Sequence, residues 1–321
     1  SLPAGGRARL GVRARHDRSP GRLEAAEVAR RQQPSNSELL AALGYVERRR
    51  GRWQEALAHL SESVRYDPRS HVRTLDLADT YFSVRQYPEA ERLLDRTLQL
   101  APDFASAYAT KAALYLAWQG DRARSRAVVG QGLTRVGAGK LARALFVFDA
   151  ISGSALTGDS LFAPAVGAVT VEAFEGDTAG YHLFKAEAAH FQGDRAGEQR
   201  HADSAMRRLQ RETLGPEPDG KTLGWLGLAH ARLGHRAEAI RKARKVVELL
   251  PLSSDALSGP YAAVRLAQVY LLLGERARAV ETLKPLLAVP NWVSLRELRA
   301  DPVWAPLRNE PGLARLGERL P

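Results

Sequence analysis

The chain has 321 residues, of which 45% are hydrophobic and 26% charged. This composition is too apolar for a chain that is disordered throughout, so we expect a folded protein with a sizeable core. Without cysteine, the chain has no disulfide, zinc–thiolate site or thiol nucleophile. Its longest apolar stretches, such as LAQVYLLLG at 266–274, fall short of the roughly 20 residues that span a bilayer.

The formal net charge of +11 raises the question of a nucleic-acid partner. Only seven of the 47 cationic residues are lysine, an arginine bias that we attribute to genomic base composition. The arginines alternate with acidic residues along most predicted helices, whereas a nucleic-acid site concentrates its cations on one face or stripe. The sequence therefore disfavours nucleic acid as a partner.

Residues 1–20 contain five arginines and a single acid, Asp17, together with Gly and Pro and no sustained apolar period. We predict a disordered basic tail, which is either an arm for an acidic partner or a flexible remnant. The sequence starts at Ser1 and lacks the apolar core of a signal peptide. We therefore expect a processed product or part of a longer polypeptide, with any targeting signal encoded upstream.

From residue 21 onward, apolar residues recur at helical spacing. A first complete helix is predicted to begin near Ser37 and to end at Gly51. A second helix begins near Trp53 and closes at Pro68, and the next unit closes at Pro102, 34 residues later. The period predicts stacked pairs of antiparallel helices.

These units resemble the tetratricopeptide repeat. The resemblance implies an all-α fold, namely an α-solenoid in which antiparallel helix pairs form a right-handed superhelix. The third unit is degenerate, because Ser125 replaces the small alanine and no proline closes the unit. The positions that match the family are Leu43, Gly44, Gly51, Ala56, Leu60 and Pro68; Leu77, Ala78, Tyr81, Ala90, Leu94 and Pro102; Ala112, Ala113 and Gly120; Gly193; Leu226, Gly227, Gly234, Ala239, Val246 and Pro251; and Leu266, Ala267, Tyr270, Gly274, Ala279 and Leu283.

The period fails after Gly137 and returns near residue 180, which predicts two arrays of three units each. We place the N-terminal array at 21–154, an irregular helical connector at 155–178 and the C-terminal array at 179–290. A capping segment, 291–321, is expected to cover the apolar face of the last unit. Its candidate covering residues are Trp292, Leu295, Leu298, Trp304 and Leu307.

A closer resemblance rests on LGLAHARLGHRAEAIRKARKVVELLPLSSDALSGPY, followed about forty residues later by RADPVWAPLRNEPGLARL. These stretches resemble the C-terminal repeat arrays of bacterial TolB-like, Ser/Thr kinase and nucleotide-cyclase-type signalling proteins. The resemblance implies a sensory or protein-binding array of a bacterial signalling protein; the alternative is the regulatory region of a Ser/Thr kinase. We expect a cytoplasmic location, or a periplasmic one if the parent chain carries an upstream transmembrane helix.

No catalytic or cofactor motif is convincing. RVGAGKLAR at 135–143 lacks the first Gly and the final Ser or Thr of a phosphate-binding loop, and GQGLTRVG at 130–137 has the wrong spacing for a dinucleotide loop. His182 and His190, with Glu187 between them, are the best metal candidates, but they are two helical turns apart. The sequence predicts neither an enzyme nor a cofactor.

The concave surface of such an array is lined by the first helix of each unit, here called helix A. We therefore expect a protein or peptide partner to bind there, on a mixture of aromatic and charged residues. Ala41 and Tyr45 occupy the positions where some members of the family carry a Lys and Asn clamp for a terminal carboxylate. The candidate groove residues are Glu38, Tyr45, Arg48, Asp79, Phe82, Glu187, His190, Tyr261, Gln268 and Leu271.

Overall fold

The computed structural model describes residues 32, 33, 35–147, 156–212 and 219–317. The predicted basic tail and the centre of the glycine-rich link after residue 150 lie outside these residues. Regular structure in the described part is helical throughout, without a β-strand, which confirms the all-α solenoid. No helix in that part combines the length and apolar character required to cross a bilayer.

Three helix pairs form the N-terminal array. The Asn36 side chain caps the first helix by accepting the N–H groups of Glu38 and Leu39, both at 3.1 Å. Helix A of each pair packs against the helix B that follows it, and helix B packs against the next pair. The helices are α1 (Ser37–Arg49), α2 (Trp53–Tyr66), α3 (His71–Ser83), α4 (Tyr87–Leu100), α5 (Ala105–Gln119) and α6 (Arg122–Val136).

An irregular segment joins the two arrays. Helix α7 (Ala138–Val147) packs on α5 and α6, and the short helix α8 (Ala163–Gly167) lies between 3₁₀ turns at Ser160–Phe162 and Glu172–Phe174. Aromatic rings hold this segment to the second array. The ring centroids of Phe146 and Trp225 are 5.6 Å apart, and those of Phe174 and Phe184 are 5.7 Å apart.

Three further pairs form the C-terminal array, and a short capping region follows them. The last pair ends in a 3₁₀ turn, Lys284–Ala288, and another 3₁₀ turn, Pro302–Leu307, lies within the cap. The helices are α9 (Thr178–Phe191), α10 (Arg195–Glu212), α11 (Gly220–Arg232), α12 (Arg236–Leu249), α13 (Ser258–Leu272), α14 (Arg276–Leu283), α15 (Leu295–Ala300) and α16 (Pro311–Gly317).

Small residues bring the two helices of a pair close together. Ala56, Ala90, Ala239 and Ala279 have no exposed surface. A Cβ atom at Gly44 of α1 would lie only 2.6 Å from Cγ of Leu60 on α2. The crossings therefore have room for small side chains only, as the sequence predicts.

The turn between helix A and helix B needs a residue in the left-handed backbone region. Glycines occupy this position in five units: Gly51, Gly120, Gly193, Gly234 and Gly274. In the second unit the same position holds Arg85, with φ of 63°, a conformation that costs a non-glycine residue about 1 kcal/mol. Arg85 differs from glycine in having a side chain, and this side chain contacts the C-terminal array.

The two arrays contact each other directly, through what we call the inter-array interface. Nη1 of Arg49, at the end of α1, lies 2.7 Å from Oδ2 of Asp255, a carboxylate that is 1% exposed. The N–H of Ala256 donates to the carbonyl of Arg49 at 2.9 Å. Asp255 also accepts the N–H of Ser258, the first residue of α13, at 2.7 Å. This buried carboxylate thus links the end of α1 to the start of α13.

The other two units of the N-terminal array make similar contacts. Arg85 Nη2 donates to the carbonyl of Leu287 at 3.0 Å. Ser294 Oγ donates to the carbonyl of Ala117 at 2.7 Å, and the guanidinium of Arg296 donates to the carbonyl of Trp118. The last carbonyls of a helix lack partners within the helix, so these donors from the capping segment complete the end of α5.

The capping region contacts the last unit and also the N-terminal array. Its 3₁₀ turn at Pro302–Leu307 and α16 do pack on α14, but α15 packs on α5 of the N-terminal array. Glu297 on α15 is 1% exposed and accepts a hydrogen bond from Trp304 Nε1 at 3.0 Å. Burial, with the nearby Asp301 carboxyl, raises the pKa of Glu297 well above its usual range.

The close crossings predict the effect of one larger side chain. Ala56→Leu should overpack the α1–α2 crossing and lower the free energy of unfolding by roughly 1 to 3 kcal/mol. Ala58→Leu is the matched control, because Ala58 lies on the same helix and is exposed. Urea unfolding followed by circular dichroism measures both. Equal stability of the two variants would contradict a close crossing.

The buried acid predicts a pH dependence. The native state retains the Glu297 proton between the unfolded-state pKa of about 4.3 and the raised native pKa. Stability is therefore fully present below that window and is lost as the pH rises through it. Glu297→Gln should remove this loss and stabilise the protein at alkaline pH.

Thermal unfolding between acid and mildly alkaline pH tests this expectation. Glu281→Gln is the control, since the Glu281 side chain is 69% exposed. If the melting temperature of Glu297→Gln follows that of the unaltered chain at every pH, the carboxyl is ionised in the native state and the assignment is wrong.

Candidate partner-binding groove

The inter-array interface divides the predicted groove into two parts. Arg48, Asp79, Phe82 and Tyr261 line a cavity of about 110 Å³ that the helices A of the N-terminal array share with Trp292 of the second array. Phe82 is 3% exposed and Arg48 is 8% exposed. These four predicted residues thus share one cavity, but residues from the C-terminal part of the same chain cover it.

Trp292 and Tyr261 form this cover. Their ring centroids are 3.9 Å apart, and Trp292 is 4% exposed. Beneath them, Tyr45 donates its hydroxyl to the carboxylate of Asp76, and Arg48 Nη1 donates to the Asp76 carbonyl at 3.3 Å. Tyr45 thus bonds to the neighbouring unit rather than presenting its hydroxyl to a partner.

The other predicted groove residues of the C-terminal array line a separate cavity, which we call the C-array cavity. Its volume is about 420 Å³, and Glu187, His190, Gln268 and Leu271 all lie on its wall. The capping region provides the opposite wall through Pro302, Val303 and Pro306. Of the ten predicted residues, Glu38 and Tyr45 line neither cavity, and Glu38 is exposed in the first turn of α1.

Charged residues at the base of the C-array cavity form a network. Arg232 is 6% exposed; its Nη1 lies 2.5 Å from Oε1 of Glu198, and its Nη2 lies 3.9 Å from Oε2 of Glu187. Thr157 donates to Glu187 at 2.7 Å, and His190 Nδ1 lies 3.1 Å from Glu198 Oε2. The network fixes the carboxylates beside the cavity.

This network sets the ionisation of Glu198. Burial acts to raise the pKa of its carboxyl, but the hydrogen bond with His190 and the charge of Arg232 outweigh burial, so the pKa is lowered. Glu198 is therefore a carboxylate at neutral pH and balances the charge of Arg232. The sequence analysis missed Arg232 and Glu198, because the former ends a helix A and the latter lies on a helix B.

One polar atom of Arg232 lacks a hydrogen-bond partner among the described protein groups. Nε of Arg232 is buried and has no hydrogen-bond partner among the described residues. Apolar side chains make up much of the remaining wall, including Phe191, Leu228 and Leu272. The cavity thus combines apolar surface with a buried cationic donor, as binding pockets commonly do.

The histidines do not assemble a metal site. His182 Nδ1 lies 3.0 Å from His201 Nδ1, and burial lowers the pKa of both rings. His190 and Glu187 bind Glu198 and Thr157 instead. Within residues that the structure describes, no group of three or more His, Asp or Glu side chains is placed to hold a metal ion.

Comparison with known proteins identifies the repeat. Residues 47–114 match the family model of the tetratricopeptide repeat. A stretch of 83 residues is 31% identical to the Hsp70-Hsp90 organizing protein of Triticum aestivum, covering 26% of this chain and 14% of that protein. The matching stretch therefore spans only a small part of that relative.

Two solved structures are similar to this chain at low identity. A tetratricopeptide repeat protein from Parabacteroides merdae is 17% identical with a TM-score of 0.37, covering 83% of this chain and 84% of that one. The pilus biogenesis factor PilW is 14% identical with a TM-score of 0.41, covering 67% and 94%. Since these scores lie below 0.5, the assignment rests on the repeat match and on the helix pairs described above.

Because Phe82 is buried, we expect its replacement to reduce the stability of the fold. Phe82→Ala should lower the free energy of unfolding by about 3 to 5 kcal/mol, the usual cost of deleting a buried ring. Leu271→Ala, at a partly exposed position of the C-array cavity, should cost less. Chemical denaturation of both variants tests this, and a Phe82→Ala variant as stable as the unaltered chain would show that this face is open.

Proposed function

This chain contains tetratricopeptide repeats, and we propose that it is a non-catalytic scaffold that binds a short segment of a partner protein in the C-array cavity. Stacked helix pairs present concave surfaces that bind peptides. In this chain one half of that surface lies under Trp292 and Tyr261, which leaves the other half for a partner.

The observation that carries the proposal is the convergence of four predicted groove residues on one cavity. Glu187 and His190 come from α9, whereas Gln268 and Leu271 come from α13. Those two helices are helix A of the first and third pairs of the C-terminal array. A cavity between helices A is the place where a solenoid binds an extended segment.

The cavity's size and chemistry specify the segment. At about 420 Å³ it falls within the range of ligand pockets, so it accepts a few side chains rather than a long helix. Leu228, Leu271 and Pro306 favour an apolar side chain. The polar side chains of His190, Arg232 and Gln268 on the same wall favour a carbonyl or carboxylate oxygen beside it.

A peptide library screened against the full chain tests the proposal. Binding of the selected peptides is then measured by fluorescence polarisation against the variants Leu271→Arg and Leu249→Arg. Leu249 is the matched control, since it is 37% exposed on α12 and lies outside the cavity lining. Leu271→Arg should weaken binding at least tenfold, because a charge would enter an apolar wall, and Leu249→Arg should leave it unchanged.

A failure to select any peptide, or equal affinities of the two variants, would contradict binding in this cavity. Both variants alter partly exposed leucines, so both are expected to fold. Circular dichroism before each titration verifies this.

The context that we propose is a bacterial signalling protein, with the regulatory region of a Ser/Thr kinase as the alternative. The stretches around 226–261 and 299–316 support it by their resemblance to arrays in such proteins. A cytoplasmic location accompanies this proposal, or a periplasmic one if a transmembrane helix lies upstream. The coding sequence upstream of Ser1 decides between these contexts: a kinase, cyclase or TolB-like segment supports the proposal, and an unrelated domain contradicts it.

A further inference from the structure

A third cavity lies where the two arrays meet, and we call it the junction cavity. Its volume is about 560 Å³. Arg49 from the end of α1 forms part of its wall, and the starts of α11 and α13 and the end of α12 form the rest. It is separate from the C-array cavity, and Arg49 is the residue that the N-terminal array contributes to its lining.

Three cationic side chains line the junction cavity, whereas two of the three carboxylates near them lie outside its wall. Arg49, Lys221 and Arg265 line it, and Asp219 is the acid on the wall. Asp219 already caps α11 by accepting the N–H of Thr222 at 2.7 Å. Both α11 and α13 begin at the cavity, so the positive ends of their helix dipoles add to its potential.

Two of these cations also bind carboxylates that lie outside the wall. Arg49 binds Asp255 at 2.7 Å, and Lys221 binds Asp177 at 3.0 Å. These ion pairs fix the positions of the cationic groups, and such preorganised groups bind an incoming anion without a further ordering cost.

Aromatic and aliphatic side chains make up much of the remaining wall. Trp225 is 5% exposed, with Lys221 Nζ 4.1 Å from the centre of its ring. Tyr261 and Leu250 lie on the same wall. An inorganic anion would leave this apolar surface without a contact, whereas an anion attached to a ring or short hydrocarbon group would cover it.

From this combination we infer that the junction cavity binds a small organic anion with an apolar or aromatic body. Carboxylates, sulfonates and phosphate esters share the required chemistry. The anion would contact the cations of both arrays, so it would also strengthen the inter-array interface. This site is independent of peptide binding in the C-array cavity.

The probe for the test is 8-anilinonaphthalene-1-sulfonate, whose fluorescence rises in apolar surroundings. It is titrated into the full chain and then displaced by two competitors with the same ring system. Naphthalene-1-sulfonate is an anion, and 1-naphthylmethylammonium is a cation. The anion should displace the probe at a concentration at least tenfold lower than the cation does.

Two matched variants locate the site. Lys221 and Lys245 are equally exposed, at 55% and 56%, and each binds an acid, but Lys245 lies outside the cavity lining. Lys221→Met should weaken probe binding about three- to tenfold, as expected for the loss of one partly screened charge contact. Lys245→Met should leave the affinity unchanged.

Arg265→Met gives a second measurement inside the cavity and should weaken the probe similarly. Equal effects of Lys221→Met and Lys245→Met would show that net charge alone attracts the probe and would overturn the inference. Equal displacement by the two competitors, or the absence of saturable probe binding, would overturn it as well.

Discussion

The ion pair between Arg49 and Asp255 is a buried contact of the inter-array interface, and this interface divides the concave surface of the molecule. Asp255 is almost fully buried, and a carboxylate in that position is stable only if its charge is matched and its oxygens are hydrogen-bonded. Arg49 supplies the charge, and the N–H groups of Leu257 and Ser258 supply the bonds. Loss of Arg49 would leave a buried charge, a defect that typically costs 3 to 5 kcal/mol.

The contact between the two arrays determines which parts of the concave surface are buried and which form cavities. It buries the N-terminal half of the concave face, leaves the C-array cavity between α9, α13 and the cap, and creates the junction cavity. Arg85 shows the cost of this arrangement. Its backbone adopts a strained turn conformation, and its guanidinium donates a hydrogen bond to the second array. The long-range contact thus offsets the backbone strain.

The sequence predicted the helix pairs because their determinants are local. The 34-residue period, the turn glycines and the alanines at each crossing are set by contacts within one unit. Ala56 and Gly44 were assigned from the resemblance to the tetratricopeptide repeat, and the structure places both at the crossing. The same reasoning selected Glu187, His190, Gln268 and Leu271, which share a cavity because each lies on a helix A.

The sequence did not predict the contact between arrays, because it depends on superhelical curvature accumulated over six units and an irregular connector. Phe82 fits the pattern of an open groove, and only long-range geometry shows that it is covered. Arg232 lies at the end of a helix A and resembles a surface arginine in sequence. Its burial arises from neighbours on α9, α10 and α13.

The most direct test of closure is an engineered disulfide between Gly120 and Ala300. A Cβ atom at Gly120 would lie 3.9 Å from Cβ of Ala300, within the range of a disulfide, and the chain has no cysteine of its own. Gly120→Cys with Ala300→Cys should oxidise to an intramolecular disulfide, which alters migration on a non-reducing gel. The control variant combines Gly120→Cys with Ala256→Cys. These two residues take part in different contacts between the arrays, so their thiols should stay reduced. If the first pair keeps both thiols reactive under the same oxidant, or if the two pairs oxidise equally, the arrays do not close as described.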